Sequence, residues 1–329
     1  MTPEVDSDRH HACLHGINVR SEFELNGWPI STSTDPDEYW TLNIRRARVV
    51  ESDPIERDLD QVHGDLRHII IRGREYLELS LRSAQDHAST SIRADFTRRE
   101  INVHCDLWFP ESQVLLLYLL HTRIIPSIAV LTSQSVVMHA TAVHVDDGAI
   151  VMCGRSGAGK SSLAAGFVSE GGLLLGDEPI LIHPEPGRSL AQPSVQSLRL
   201  ERETVVSGML RERGWYDKEG HDKVVWSAPQ SDVQVTARNV AAVLILGERL
   251  PGVYKPHIVQ LKPVEAVQAL MHESHLSVSL INATARQFTA SAAIVQTTPV
   301  FRVHIPDDLA HLKSAVTLLR ERIQESSPR

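Results

Sequence analysis

The chain contains one segment whose residue types and spacing are those of a phosphate-binding loop. This segment is Gly154-Arg155-Ser156-Gly157-Ala158-Gly159-Lys160-Ser161, which satisfies the pattern G-x-x-x-x-G-K-[ST]. The apolar residues Ala149 to Cys153 before it predict a strand, and Ser161 to Glu170 predict a helix directly after it. A chance match of this pattern in a glycine-containing turn would need neither a strand before it nor a helix after it. The segment therefore predicts a site for a polyphosphate.

Each residue type in this loop has a chemical reason. Glycine permits positive φ, which brings consecutive N–H groups against phosphate oxygens, and the helix N-terminus adds partial positive charge. We expect Lys160 to reach the β- and γ-phosphates and Ser161 to coordinate Mg²⁺ through its hydroxyl. The predicted cofactors are ATP and Mg²⁺, with a preference between ATP and GTP left open. The predicted nucleotide-binding residues are Gly154, Arg155, Ser156, Gly157, Ala158, Gly159, Lys160, Ser161 and Ser162.

Two adjacent carboxylates follow the next predicted strand. The apolar segment Leu173 to Leu175 ends in Gly176-Asp177-Glu178-Pro179. A carboxylate at the C-terminal end of a strand beside the loop can hold Mg²⁺, and a second can take a proton from an attacking hydroxyl. The same four residues are also typical of a solvated turn. The phosphate loop upstream favours the catalytic interpretation.

Two further side chains carry a weaker signal. His139 lies in the apolar segment Met138 to Val143, which is predicted to run beside the strand that enters the loop. A lone histidine in such a segment is more often a hydrogen-bonded core residue than a catalyst. Arg199, in a later apolar segment, is a candidate to neutralise charge on the γ-phosphate, with a structural ion pair as the alternative.

Together these segments resemble the catalytic domain of HPr kinase/phosphorylase and the wider group of HPr-kinase-like proteins. Those proteins share a His-Gly or His-Ala strand, a G-x-S-G-x-G-K-S loop and an acidic pair beyond the loop. Here these are His139-Ala140, Gly154 to Ser161 and Asp177-Glu178. The resemblance covers Val136 to Ile182 and continues more loosely into Ser197-Leu198-Arg199-Leu200 and Thr298-Pro299-Val300-Phe301-Arg302-Val303.

The resemblance implies an α/β fold with a P-loop core like that of phosphoenolpyruvate carboxykinase, and phosphorylation of a serine hydroxyl. By position it implies that Lys160 holds phosphate, Ser161 and Asp177 bind Mg²⁺, and His139 contacts the transferred group. The second acidic position, Glu178, would act as the base toward the acceptor hydroxyl. The usual pair in that family is Asp-Asp, so the longer Glu178 leaves the division of labour between the two carboxylates open.

Two departures separate this chain from true HPr kinase/phosphorylases. The Arg-Gly-Leu-Gly signature is absent, and nothing matches the loop that those enzymes use to reverse the reaction. We therefore expect neither HPr as substrate nor phosphorylase activity. What remains resembles the HPr-kinase-like members found beside biosynthetic genes, including kinases that phosphorylate a serine in lasso-peptide precursors.

The predicted function is an ATP-dependent kinase, a phosphotransferase whose acceptor is a serine of a peptide or protein. A small-molecule hydroxyl is the nearest alternative acceptor. A non-kinase nucleotide-binding switch or sensor is another alternative, although the Asn-Lys-x-Asp guanine reader and the Leu-Ser-Gly-Gly transporter signature are both absent. A degenerate binding module is disfavoured because His139, Lys160, Ser161 and the acidic pair are all present.

Composition argues against other classes of protein. Lys and Arg number 33 against 41 Asp and Glu, so the formal net charge of −8 disfavours a protein that coats nucleic acid or an anionic membrane. The longest apolar run falls well short of the about 20 residues of a membrane span. The acidic N-terminus lacks the basic start and apolar core of a secretory signal. We expect a cytoplasmic protein with no nucleic-acid or membrane partner.

Patterning also predicts two domains joined by helices. Residues 1–110 are expected to form a smaller β-rich domain, 111–135 a helical connector interrupted near Pro126, and 136–329 the catalytic domain. We expect the first domain to contribute acceptor recognition or contacts within a homo-oligomer, because none of the predicted nucleotide-binding residues lies in it. An antiparallel sheet is predicted there, with strands at Ile17–Leu25, Tyr39–Val50, His68–Leu81 and Ile101–Phe109.

The catalytic domain is predicted to alternate strands and helices. The further strands are predicted at Val136–Val145, Leu173–Leu175, Val240–Leu246 and Val300–His304. The further helices are predicted at Pro263–His272, Ala283–Val295 and Leu309–Gln324.

Overall fold

The computed structural model of the protein describes residues 10–23, 25, 28–31, 33–46, 65–71, 73–82, 89–105, 116–146, 148–201, 215–217, 223–228, 235–249, 251–274 and 283–326. Contacts between α-carbons divide the chain into two compact units. Unit 1 comprises the described residues of Met1–Thr132 and Leu276–Ala283, and unit 2 those of Ser133–His275 and Thr284–Arg329. The domains predicted at 1–110, 111–135 and 136–329 remain a prediction, but every predicted site residue belongs to unit 2.

Unit 1 is dominated by one mixed sheet. Its described strands are β1 (His10–Leu14), β2 (Ile17–Ser21), β3 (Tyr39–Arg46), β4 (Asp65–Ile71), β5 (Arg74–Arg82), β6 (Ser89–Asp95) and β7 (Glu100–Cys105). They lie in the order β1-β2-β3-β7-β6-β5-β4. The expectation of an antiparallel sheet was wrong in part, because β3 runs parallel to both β2 and β7. The alternation of β5 is as expected, with Leu77, Leu79 and Leu81 buried.

The segment His68–Leu81, predicted as one strand, belongs to two. β4 and β5 pair antiparallel, with Ile71 opposite Arg74, and Gly73 turns the chain at φ 77°. Apolar residues occur on both sides of this glycine, so the sequence pattern alone did not reveal the hairpin. Strands β1 and β6 were not predicted. The predicted strand ends 47–50 and 106–109 lie outside the described residues.

The predicted helical connector is helical through Pro126. A π-helical turn, Leu120–Ile124, runs directly into α1 (Ile125–Thr132), and Pro126 lies in the first turn of α1. A proline has no N–H to donate, and its ring crowds the carbonyl four residues earlier. The residue four positions before Pro126 is Thr122, which lies within the π-helical turn, and this turn is wider than an α-helical turn. The predicted interruption is therefore a change of hydrogen-bonding pattern and not a break in the helix.

Unit 2 is a mixed α/β structure. Its described strands are β8 (Val136–Met138), β9 (Ala140–Val145), β10 (Gly148–Cys153), β11 (Leu173–Asp177), β12 (Ile180–Glu185), β13 (Arg188–Ala191), β14 (Ser197–Glu201), β15 (Trp215–Asp217), β16 (Lys223–Ser227), β17 (Arg238–Leu246), β18 (His257–Gln260) and β19 (Val300–His304). Its described helices are α2 (Lys160–Ser169), α3 (Pro263–Glu273), α4 (Ala283–Thr297) and α5 (Leu312–Ser326). The strand predicted at Val136–Val145 was wrong in part, because the chain bends at His139 and forms two strands, β8 paired with β12 and β9 paired with β10 and β11. The other predicted strands and helices of this region are confirmed to within a few residues, whereas β12 to β16 and β18 were not predicted. No helix among the described residues combines the length and apolar composition needed to cross a membrane.

The main sheet of unit 2 brings three parallel strands to one edge. Its described strands follow the order β11-β9-β10-β17-β13-β12-β8, with β19 also beside β17 and β18 beside β19. β10, β17 and β19 are parallel, whereas β9 is antiparallel to both β10 and β11. Ligands of open α/β sheets bind at the carboxyl ends of such parallel strands. A ligand site is therefore expected at the loops that follow β10, β17 and β19.

Both faces of β10 are buried. Ile150 and Met152 belong to a cluster with residues of α2 and α5. Val151 and Cys153 belong to a second cluster with residues of α3 and α4. A strand covered on both faces is apolar at every position, which explains the uninterrupted apolar sequence from Ala149 to Cys153.

Gly176 in β11 occupies a position without room for a side chain. A β-carbon there would lie 2.8 Å from the backbone nitrogen and 2.9 Å from the α-carbon of Ser194. The Ser194 segment is tied to β11 by backbone hydrogen bonds from Ser194 to Leu175 and from Asp177 to Val195. The approach of these two segments thus depends on the glycine that directly precedes Asp177.

We expect Gly176→Ala to lower the free energy of unfolding by about 1–3 kcal/mol, because the backbone of Ser194 must move to admit the methyl group. Urea denaturation measures this change. Gly187→Asn is the matched control, since Gly187 has φ 77°, no atom within 4 Å of its β-carbon position, and asparagine tolerates that backbone region. A Gly176→Ala protein as stable as the control would contradict the close approach.

Candidate active site

The predicted phosphate loop joins β10 to α2. Gly157 and Gly159 adopt φ of 83° and 97°, a backbone region that favours glycine. The first hydrogen bond of α2 runs from the N–H of Leu163 to the carbonyl oxygen of Gly159, at 2.8 Å. The amide groups of a first helical turn point out of the helix N-terminus, where the helix dipole is positive. The loop therefore presents amides and partial positive charge at the carboxyl edge of the sheet.

Lys160 is a buried cation that folds back over this loop. Its side chain is 5% exposed, and Nζ donates a hydrogen bond to the carbonyl oxygen of Gly154 at 2.8 Å. Nζ also lies 3.0 Å from Oε1 of Glu178. A buried ammonium group requires an anionic partner, and Glu178 supplies it in this structure.

His139 contacts the same carboxylate. The pairing of Cys153 with Ala140 in β10 and β9 places His139 beside Gly154 at the start of the loop. The imidazole Nε2 of His139 lies 2.9 Å from Oε1 of Glu178, while its backbone N–H donates to the carbonyl oxygen of Glu273 at 3.2 Å. His139 lies in the bend between β8 and β9 and not within a strand as predicted, and its side chain is part of the charged cluster.

Asp177 lies on the buried side of the acidic pair. Asp177 in β11 pairs with Thr141 in β9, and this pairing fixes the position of Asp177 in the sheet. The Thr141 hydroxyl donates a hydrogen bond to Oδ1 of Asp177. The N–H of Glu178 donates to the same oxygen at 3.1 Å. Asp177 is 9% exposed, whereas the Glu178 side chain is 36% exposed.

The two carboxyls consequently titrate differently. Burial and the neighbouring charge of Glu178 raise the pKa of Asp177 to about 6, against the lowering effect of Thr141 and Lys160. Burial also acts to raise the pKa of Glu178, but the hydrogen bond from His139 and the charge of Lys160 outweigh it and lower that pKa to about 2. Glu178 is therefore the fixed counter-charge in the ligand-free site, and Asp177 is the carboxyl that titrates nearer neutral pH.

The donor set fits the predicted cation. Ser161 in the first turn of α2 and Asp177 at the end of β11 carry the hydroxyl and carboxylate oxygens that Mg²⁺ prefers. Within the described residues there is no cluster of three or more His, Cys, Asp or Glu side chains that suits a metal ion. A nucleotide-bound Mg²⁺ needs no such cluster, since phosphates and water provide most of its ligands.

Some predicted residues lie away from the charged cluster. Arg155 and Ser156 are exposed at the tip of the loop. Arg199 is exposed on β14 between Leu198 and Leu200, and those two leucines are buried in the cluster that contains α2. Because side chains alternate across a strand, Arg199 points away from α2. Its role in catalysis remains a prediction.

Sequence analysis missed two residues of this region. Thr141 is fully buried and hydrogen-bonded to Asp177; a hydroxyl between two alanines in an apolar strand was the available signal. Arg249, beyond the end of β17, lies against Gly159 of the loop. Nothing in the local sequence around Arg249 indicates this contact, because the pairing of β10 with β17 creates it.

We expect Asp177→Asn to stabilise the protein increasingly as the pH rises from about 4 to about 6. The pKa of Asp177 is about 6 in the folded protein and 3.8 ordinarily, so in this window the folded state keeps a proton that the unfolded state has released. Stability of the wild type therefore falls as the pH rises through the window. The stability difference between variant and wild type should grow by about 2–3 kcal/mol. Urea denaturation across the window measures it, and a difference independent of pH would contradict the raised pKa.

Comparison with known proteins adds little to this geometry. No family model matches the chain, and no curated protein matches it. Among solved structures, the chain is similar to the structure of the HPr(Ser) kinase/phosphatase from Coxiella burnetii, with a TM-score of 0.32 and 14% sequence identity over 57% of this chain and 97% of that chain. A likeness this weak carries no argument about activity.

Proposed function

We propose that this protein is a Mg²⁺-dependent kinase that transfers the γ-phosphoryl group of ATP to a hydroxyl group. One observation carries the proposal. The cation of the phosphate loop, Lys160, and the imidazole of His139 both contact Oε1 of Glu178, at 3.0 and 2.9 Å. A phosphate-binding loop, a carboxylate and an imidazole thus converge at the carboxyl edge of one sheet.

The loop and Lys160 are proposed to bind the β- and γ-phosphates. The amides at the start of α2 and the helix dipole favour a bound polyanion. Lys160 then exchanges Glu178 for phosphate oxygens as its anionic partner. Ser161 and Asp177 are proposed to hold the Mg²⁺, which when bound neutralises phosphate charge during transfer.

Glu178 is proposed as the base, because its 36% exposed side chain is open to an arriving acceptor whereas Asp177 is 9% exposed. Release of Lys160 to the phosphates removes one cause of the low pKa of Glu178, so its proton affinity rises when nucleotide binds. The acceptor oxygen forms a bond to the γ-phosphorus, and the bond from that phosphorus to the bridging oxygen of ADP breaks. The hydroxyl proton goes to Glu178, and His139 stabilises the transferred group.

We further propose a serine of a peptide or protein as the acceptor. This choice rests on the resemblance of the His139, loop and Asp177-Glu178 segments to HPr-kinase-like proteins. A small-molecule hydroxyl is the alternative acceptor, which an assay with both peptides and glycerol distinguishes from a serine.

Lys160→Met is expected to weaken ATP binding by at least about tenfold, since it removes a charge-assisted contact to phosphate. Isothermal titration calorimetry with Mg²⁺ present measures the dissociation constant. Lys313→Met is the matched control, because Lys313 is an exposed lysine paired with Glu170 on the surface of α5. Equal affinity of both variants for ATP would contradict nucleotide binding at this loop.

Glu178→Gln is expected to bind ATP at least as tightly as the wild type, because it removes the anion that competes for Lys160. It should nevertheless lower phosphoryl transfer by about 10²–10⁴-fold, the range for loss of a general base. Transfer is measured with γ-labelled ATP and a set of serine-containing peptides, the same peptides with alanine for serine, and glycerol. Glu185→Gln, in an exposed ion pair with Arg188, is the control.

The outcomes separate the candidate functions. Label on serine but not on alanine peptides supports the peptide kinase, and label on glycerol alone favours a small-molecule kinase. ATP binding without labelling of any acceptor by the wild type would overturn the kinase and favour a nucleotide switch. Transfer by Glu178→Gln at the wild-type rate would remove Glu178 as the base.

A further inference from the structure

Arg249 lies on the phosphate loop although it is distant from it in sequence. It follows β17, which pairs in parallel with β10, so both strands end at the same edge of the sheet. A β-carbon on Gly159 would lie 3.2 Å from Nε and 3.3 Å from Nη2 of Arg249. The guanidinium group therefore covers the α-carbon of Gly159, the residue directly before α2.

This is an unfavourable place for a cation in the absence of an anion. The N-terminus of a helix carries partial positive charge and repels a nearby cation. Lys160, the first residue of α2, adds a full positive charge, and its partner Glu178 is already shared with His139. A second cation at this helix end is expected only where a negatively charged group binds.

The partners of Arg249 within the described residues leave room for that group. Nη1 lies 3.7 Å from Oδ1 of Asp307, which is beyond hydrogen-bond distance, and the Asp307 side chain is 59% exposed. In the described part of the chain, the buried Nε of Arg249 has no hydrogen-bond partner. An arginine presents five N–H donors in a planar fork that matches phosphate oxygens.

A purely structural role explains these observations less well. An ion pair that serves only to link the segment after β17 to the segment after β19 would place Arg249 and Asp307 at hydrogen-bond distance. It would also give the buried Nε of Arg249 a hydrogen-bond partner. The pair Arg320–Asp146, at the opposite end of β10, shows such a contact, with Nη2 and Oδ1 at 2.5 Å. The Arg249–Asp307 pair is looser and lies beside the loop.

Building on the proposed nucleotide site, we propose that Arg249 is a further phosphate-binding residue, which exchanges Asp307 for the phosphate chain of the nucleotide. Asp307 is then a nearby anion that competes with phosphate for the guanidinium in the ligand-free protein. Arg249 binds the same polyphosphate as Lys160 but is contributed by the neighbouring parallel strand.

Calorimetric titration of full-length variants with ATP, inorganic triphosphate and AMP tests this inference. Arg249→Gln should weaken binding of ATP and triphosphate by about 10- to 100-fold, the range for one charge-assisted contact. Its effect on AMP should be smaller, because AMP lacks the β- and γ-phosphates. Arg249→Lys, which keeps the charge and loses the fork, should lie between Gln and wild type.

The Asp307→Asn variant distinguishes phosphate binding by Arg249 from a structural ion pair between Arg249 and Asp307. Removal of a competing anion should leave ATP binding unchanged or tighter, whereas loss of a structural brace should weaken it as Arg249→Gln does. Arg320→Gln is the control for loss of an arginine–aspartate pair away from the loop. Thermal unfolding of each variant without ligand shows whether it is folded.

Three results would be decisive. Weaker ATP binding by Arg249→Gln together with unchanged or tighter binding by Asp307→Asn supports the inference. ATP affinity unchanged in Arg249→Gln, or reduced equally in both variants, overturns it while leaving the proposed kinase intact. Failure of the wild type to bind ATP overturns the proposed function itself, and this inference with it.

Discussion

The candidate site depends on the register of one strand, β9, between β10 and β11. Ala140 pairs with Cys153 on one side, and Thr141 bridges Asp177 on the other. This pairing places His139 at the start of the phosphate loop and the acidic pair at the same level of the sheet. A slip of one residue would send every side chain of β9 to the opposite face. The apolar cores on both faces of the sheet resist such a slip, because each face buries a different set of residues.

Charge balance is the second constraint on this site. The chain as a whole carries a formal charge of −8, yet the loop gathers Lys160, Arg249 and the N-terminus of α2 within a small region. Glu178 and Asp307 offset these charges in the ligand-free protein. Both carboxylates are partly exposed, so replacing them by the phosphates of the proposed nucleotide would leave no buried charge unpaired.

Much of unit 2 was predictable because its signals are local. The strand, loop and helix from Ala149 to Glu170 follow from apolar runs, glycines and the Lys-Ser pair, all within one short stretch. The longer helices of the last third of the chain were also found from their spacing. The short strands β12 to β16 were missed, since they mix polar and apolar residues over too few positions to show a period, unlike the uninterrupted apolar run of β10. The mixed pairing of unit 1 was missed because strand direction is set by partners distant in sequence.

The sequence by itself identified the candidate site residues: a glycine-rich loop ending in Lys160 and Ser161, two adjacent carboxylates, and a histidine in an apolar segment. Only the tertiary structure decided which of these residues contact one another. It assigned Glu178 as the shared partner of Lys160 and His139, and it buried Asp177 against Thr141. It also laid Arg249 over Gly159. Residue types and spacing are properties of the chain, but burial, charge pairing and the resulting pKa values arise only when strands separated in sequence share one edge of a sheet.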